Sequence, residues 1–171
     1  VNVTWSAVDG ATSYKVLRAA PGAAPVAVGS ATGTSFIDTS ALPGVLYTYS
    51  VQASSPAGVG TPSGTDTGWR NMLAPSGIVA SDGTSTAGVV VTWNASGGAA
   101  GYKVLRSIEG GVPSTVGTVR APALTFTDGS AVPGTIYIYT VRAVGNAGTG
   151  ESMPGAGNAG YRGLSAPATV A

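Results

Sequence analysis

An all-β fold, two tandem antiparallel β-sandwiches, follows from three features of the sequence. Apolar and polar residues alternate over short runs, Gly and Pro interrupt those runs at short intervals, and the second half of the chain repeats the first. A period of two places one set of side chains on a buried face and the other toward water. No segment carries a sustained helical period.

Taken in order, Val1, Val3 and Trp5 alternate with Asn2 and Thr4 and predict a strand. Asp9-Gly10 then marks a turn of the kind that links two strands. Tyr14-Lys15-Val16-Leu17-Arg18 forms the next strand, and Phe36 and Asp38 mark a further extended segment. Pro43-Gly44 precedes a longer run in which Tyr47, Tyr49, Val51 and Ala53 alternate with Thr48, Ser50 and Gln52. All of this recurs. Trp93 answers Trp5, and Tyr102-Lys103-Val104-Leu105-Arg106 answers the strand at Tyr14 with the same offset. Phe126, Asp128, Pro133-Gly134, Tyr137, Tyr139, Val141 and Ala143 follow at a slightly longer offset, and Gly160-Tyr161-Arg162 answers Gly68-Trp69-Arg70 at a longer one still. Stepwise growth places small insertions in loops. A repeat of domain size predicts an array of independent beads rather than a short-period solenoid.

The alignment of the halves sets expected domains of residues 1–70 and 71–163, with 164–171 as an extra strand. Leu73-Ala74-Pro75-Ser76-Gly77-Ile78-Val79-Ala80 opens the second domain as its first strand, whereas Val1 aligns with Val89 and so begins at strand two. Leu164-Ser165-Ala166-Pro167-Ala168-Thr169-Val170-Ala171 repeats the opening strand. The first sandwich thus lacks its own first strand and a spare one stands at the C-terminus. Two arrangements cover the exposed ladder edge: a covalent array whose neighbours supply the strand, or donation of 164–171 to another copy. The absence of an initiator Met at Val1 makes the chain read as a stretch of something longer.

Composition narrows the chemistry. Hydrophobic residues make up 43% of the 171 residues, enough for packed cores, while charged residues are only 9%, far below the roughly 25% of ordinary soluble domains. Such a surface suits an extracellular or cell-surface protein. Eight basic and seven acidic residues leave a net charge of +1 with no basic run, so no nucleic-acid partner is expected. No apolar stretch approaches the roughly 18 residues of a membrane span. With no Cys and no His, disulfides, thiol chemistry and the commonest general base are excluded. The remaining acids are Asp9, Asp38, Asp66, Asp82, Glu109, Asp128 and Glu151. Asp38 and Asp128 are repeat equivalents a domain apart and are expected to cap turns. No acid pair has the spacing of a calcium loop, and no catalytic, cofactor or metal site is expected. The sequons Asn2-Val3-Thr4 and Asn94-Ala95-Ser96 are acceptors by pattern only.

The order of motifs carries a family resemblance. A Trp ends an early strand, a Tyr-x-Val strand and a Phe-x-Asp segment follow, and Leu42-Pro43-Gly44 leads into Tyr47-x-Tyr49-x-Val51-x-Ala53. This resembles the fibronectin type III domain over essentially the whole chain, in tandem copies like those of large secreted bacterial proteins. The immunoglobulin pattern fits less well, since the Trp is on the second strand and no Cys pair exists. The resemblance implies seven-stranded-type Greek-key sandwiches with cores at Trp5, Tyr14, Val16, Phe36, Tyr49 and Val51 and at their copies. It also implies that Tyr47 and Tyr137 form tyrosine corners, each hydroxyl bonding to upstream backbone.

One surface feature remains. With alternate residues of the long strands buried, Ile136 and Ile138, with Leu105 on the neighbouring strand, are expected to face outward, as are Leu17 and Leu46 in the first domain. A recurrent apolar cluster of this kind is a candidate assembly contact. Trp69 and Tyr161 near the domain ends, and Leu164 and Val170 in the spare strand, are further candidates. The expected role is a non-enzymatic structural repeat that builds a filament, sheath or surface layer with copies of itself or neighbouring repeats. The alternatives are an adhesin or polysaccharide-binding module, or spacer domains of a secreted hydrolase.

Overall fold

The computed structural model describes residues 1–146 and 148–167. Every regular element among them is a strand, and the chain divides into two compact units whose main boundary falls between Asn71 and Met72.

The first unit contains β1 (Asn2–Thr4), β2 (Ser13–Ala19), β3 (Val26–Ala31), β4 (Ser35–Ile37), β5 (Tyr47–Ser55), β6 (Gly58–Pro62) and β7 (Asp66–Gly68). Its larger sheet has the order β3-β2-β5-β6, with β7 also paired to β5. β6 lies along Gln52–Ser55 and β7 along Tyr47–Tyr49, so the two are halves of one edge strand. Its smaller sheet is β1 with β4, and β1 has no other strand partner among the described residues. Between the sheets lie Tyr14, Val16, Tyr47, Tyr49 and Val51, with Val1, Val3, Trp5 and Phe36 packed against them at partial burial.

The second unit contains β8 (Val79–Ala80), β9 (Val89–Thr92), β10 (Gly101–Ser107), β11 (Ser114–Arg120), β12 (Thr125–Asp128), β13 (Ile136–Val144) and β14 (Asn158–Tyr161). Its sheets are β11-β10-β13-β14 and β12-β9-β8. The period-two alternation appears directly in burial. Tyr137, Tyr139, Val141 and Ala143 are buried along β13, and the residues between them are not. Both units carry a register shift at the same place, between Val16 and Leu17 and between Val104 and Leu105, which strengthens local twist.

The opening strand of the second unit is shorter than the sequence suggests. Only Val79–Ala80 pairs with β9. Pro75 has no N–H to give a ladder, and Gly77 takes φ of +61°, a left-handed conformation that breaks the extended run. The segment still runs beside its neighbour: Asn94 N donates to Ser76 O at 2.8 Å, and Ser96 Oγ donates to Leu73 O at 2.9 Å. Met72, Ile78 and Ala80 enter the core. There Val89 and Val91 are fully buried and Trp93 is 4% exposed, while their counterparts Val1, Val3 and Trp5 stay half-buried. Residues 164–167 form no strand, and the rest of the expected spare strand, Val170 included, lies outside the described residues.

Glycine appears inside β3 and β11 for a packing reason. Gly29 sits under the ring of Phe36 and Gly117 under that of Phe126, so close that a Cβ would overlap the ring. Each Phe reaches across from the smaller sheet and closes one side of its sandwich.

Candidate functional site

The charged side chains that the fold buries form one network, built twice. In the first unit Arg18 projects from β2, Asp38 follows β4, and Tyr49 comes from β5. Arg18 Nη1 donates to Asp38 Oδ2 at 2.7 Å, and Tyr49 Oη donates to the same oxygen at 2.9 Å. Asp38 Oδ1 accepts from Ser40 Oγ at 2.7 Å and from Ser40 N at 2.9 Å. The second unit repeats this with Arg106, Asp128, Ser130 and Tyr139, at 2.6 Å for the ion pair and 2.9 Å for the tyrosine. The guanidinium groups also stack on aromatic faces, Arg18 4.5 Å from the Tyr47 centroid and Arg106 4.4 Å from that of Tyr137.

Both carboxylates are 2% exposed. Burial by itself would raise the Asp38 pKa, but hydrogen bonds from the Ser40 hydroxyl, Tyr49, Arg18 and the Ser40 amide outweigh it and hold the group at about 2. Asp128 is lowered against the same burial penalty by the same set of partners. Burial, then the adjacent carboxylate, pushes Tyr49 and Tyr139 up. A carboxylate held ionised with both oxygens occupied is a poor general acid, and a tyrosine held neutral is a poor base. The network ties a turn to two strands of the opposite sheet. As expected, Asp38 and Asp128 cap turns. The arginines were not singled out from the sequence, although Arg18 and Arg106 end the best-matched segment of the repeat.

The tyrosine corner implied by the resemblance is formed in the first unit, where Leu42 N donates to Tyr47 Oη at 3.4 Å. Tyr137 is buried at the equivalent place without a hydrogen bond of that kind among the described residues, its ring held instead under Arg106. Of the remaining acids, Glu151 pairs with Lys103. No cluster of three or more acidic side chains suited to a metal ion occurs among the described residues.

The apolar candidates do not all meet. Ile136 pairs with Tyr161 across β13 and β14, and Ile138 lies on the same outer face, opposite Ser107 and Ala159. Leu105 stands opposite Thr140, diagonal to Ile138. Ile136 is 63% exposed and Tyr161 37%, whereas Leu105 and Ile138 are half-buried. In the first unit Leu17 lies opposite Ser50, and the half-buried Leu46 lies beyond the end of β5, with polar Thr48 between them. The first unit therefore has two separate leucines on this face. Trp69 follows β7 at 42% exposure, and Leu164 is 74% exposed beside the turn at Gly134.

Residues 73–156 match the fibronectin type III domain family. The chain is 35% identical over 157 residues to Exoglucanase B of Cellulomonas fimi, an alignment covering 82% of this chain and 13% of that protein. It is 41% identical over 83 residues to a poly(3-hydroxybutyrate) depolymerase of Ralstonia pickettii, covering 48% of this chain and 15% of the depolymerase. Among solved structures it resembles a two-domain fibronectin type III segment of chicken tenascin, with a TM-score of 0.70 and 25% identity over 92% of this chain and 89% of that one.

Proposed function

The chain is a tandem of fibronectin type III domains, and we propose on that premise that it is a non-catalytic spacer in a larger extracellular enzyme that degrades a polymer. One observation carries this reading. Two bacterial relatives named for polymer breakdown match this chain over only 13% and 15% of their own length, leaving room for catalytic domains elsewhere in each.

The interior of each domain supports it: buried Asp38 and Asp128 are committed to holding strands. Low surface charge and repetition were also the grounds for expecting a filament or sheath. The relatives favour the spacer over that building role.

The reading is tested by excising residues 1–171 from the parent enzyme. Turnover of a short soluble substrate should stay within about twofold, because the transition-state contacts lie elsewhere, while hydrolysis of the polymer should fall. Loss of soluble-substrate turnover would mean that the chain takes part in chemistry. Ordered fibres from the purified chain at rising concentration would instead restore the building role.

A further inference from the structure

The outer face of the larger sheet of the second unit carries a cation cluster that the fold does not require. Lys103 on β10 stands directly opposite Arg142 on β13 and, on its other side, opposite Thr118 on β11. Arg120 is the next outward residue of β11, paired with Gly101. Val141 and Ala143 are buried on either side of Arg142, which directs Arg142 away from the core. Directly opposed side chains in a sheet lie about 5 Å apart, and like charges there repel. Glu151, paired with Lys103, is the one acid in an ion pair with any of the three among the described residues.

The first unit shows what the same sheet does without this cluster. Lys15 stands opposite Gln52 and Ser30, and Ala31, the partner of Tyr14, is followed by Thr32 where Val119 is followed by Arg120. Folding is thus compatible with neutral residues at both arginine positions. Beside the cluster is an open groove of about 340 Å³, with Ala100, Gly101 and Val144 along its floor and Lys103, Arg120 and Glu151 at its rim.

The geometry points to a binding site for an acidic polysaccharide, a chain of uronic acid units, on this face of the second domain. The cations stand on three adjacent strands, with Arg142 directly opposite Lys103 at about 5 Å and Arg120 diagonal to Lys103 at about 7–8 Å, separations of one to two sugar rings. A polyuronate carries one carboxylate per ring, so carboxylates one or two rings apart can meet Arg142 and Arg120, while Lys103 between them is shared with Glu151. The small apolar floor accepts the C–H face of a ring, and the Thr118 and Thr140 hydroxyls lie on the same outer face for sugar hydroxyls. A protein partner would need roughly 800 Å² of complementary surface on each side, far more than this groove supplies. The site does not depend on the spacer reading and would operate in the isolated chain.

The test is a calorimetric and NMR titration of the 171-residue chain with oligogalacturonate of about six sugars at low salt. Saturable binding is expected, with shifts centred on Lys103, Arg120 and Arg142 and no response to neutral cello-oligosaccharides. Raising salt to about 0.5 M should weaken binding at least tenfold, because exposed charges are screened over a few ångströms. The double variant Arg120→Thr, Arg142→Gln, which copies the first unit, should also bind about tenfold or more weakly at unchanged or higher Tm. Absence of saturable binding, equal binding of neutral sugars, or shifts confined to the first unit would overturn the proposal. So would equally tight binding of oligoglutamate, or a double variant whose Tm falls by more than a few degrees, which would make the arginines structural.

Discussion

Asp38 and Asp128 show how one residue can hold a sandwich with few charges. Each accepts hydrogen bonds from an arginine, a tyrosine and a serine, the first two from strands of the opposite sheet. The Asp38 pKa is about 2 in the folded chain, against 3.8 for an ordinary carboxylate. The unfolded state therefore binds more protons between these values, and stability rises with pH there. The contribution is complete above about pH 4 and is lost as pH falls through about 2, amounting to about 2 kcal/mol for a shift of this size. Asp128 moves in the same direction. Urea unfolding from pH 5 to pH 2 should show this decline, and Asp38→Asn should remove most of it from the first domain. Stability that is flat across the window would contradict the assignment.

At the scale of the element, the recurring unit is a strand pair whose partner in the other sheet reaches over it. Gly117 on β11 leaves room for the Phe126 ring on β12, as Gly29 on β3 does for Phe36. A glycine weakens a strand interior by itself, and here the lost strand propensity is offset by an aromatic ring packed on bare backbone. Gly117→Val supplies a better strand former on the β-propensity scale yet displaces the ring. It should destabilise the second domain by about 1–3 kcal/mol through overpacking, whereas strand propensity alone predicts the opposite sign for Gly117→Val. Thermal unfolding of the variant distinguishes the two, and a raised Tm would show that the ring relocates freely. The opening segment gives the complementary lesson. Residues 73–80 look like one continuous strand, but Pro75 and Gly77 leave only Val79–Ala80 in the ladder.

For the whole molecule, the two domains share a sequence pattern but differ in how far their cores close. Met72, Ile78 and Ala80 join the second core, where Trp93 is 4% exposed. The equivalent Trp5 is only partly buried. Truncating a fully buried Trp costs about 3–5 kcal/mol, a large share of the roughly 5–15 kcal/mol that stabilises a domain. Trp93→Ala should therefore unfold or nearly unfold the second domain, while Trp5→Ala should cost the first domain distinctly less. NMR spectra of the two variants would report each domain by its own resonances. Equal losses would mean that the opening segment adds nothing to the core around Trp93.

Much of this was legible in the sequence because alternation and internal repetition are local properties. The runs at Tyr47 and Tyr137 state which side chains are buried, and the repeat states how many sandwiches there are. Turn chemistry was equally local: Asp9-Gly10 turns with Gly10 at φ of +77°. The partners of Arg18 and Arg106, the glycine beneath each phenylalanine, and the cross-strand meeting of Lys103 with Arg142 could not be read in the same way. Each depends on strand register and on which residues the two sheets bring face to face. By itself the sequence determined the strand pattern, the duplication and the absence of His and Cys chemistry. Only the tertiary structure decided which charges are buried in pairs and which gather on an open face, because register converts residues far apart in the chain into neighbours about 5 Å apart.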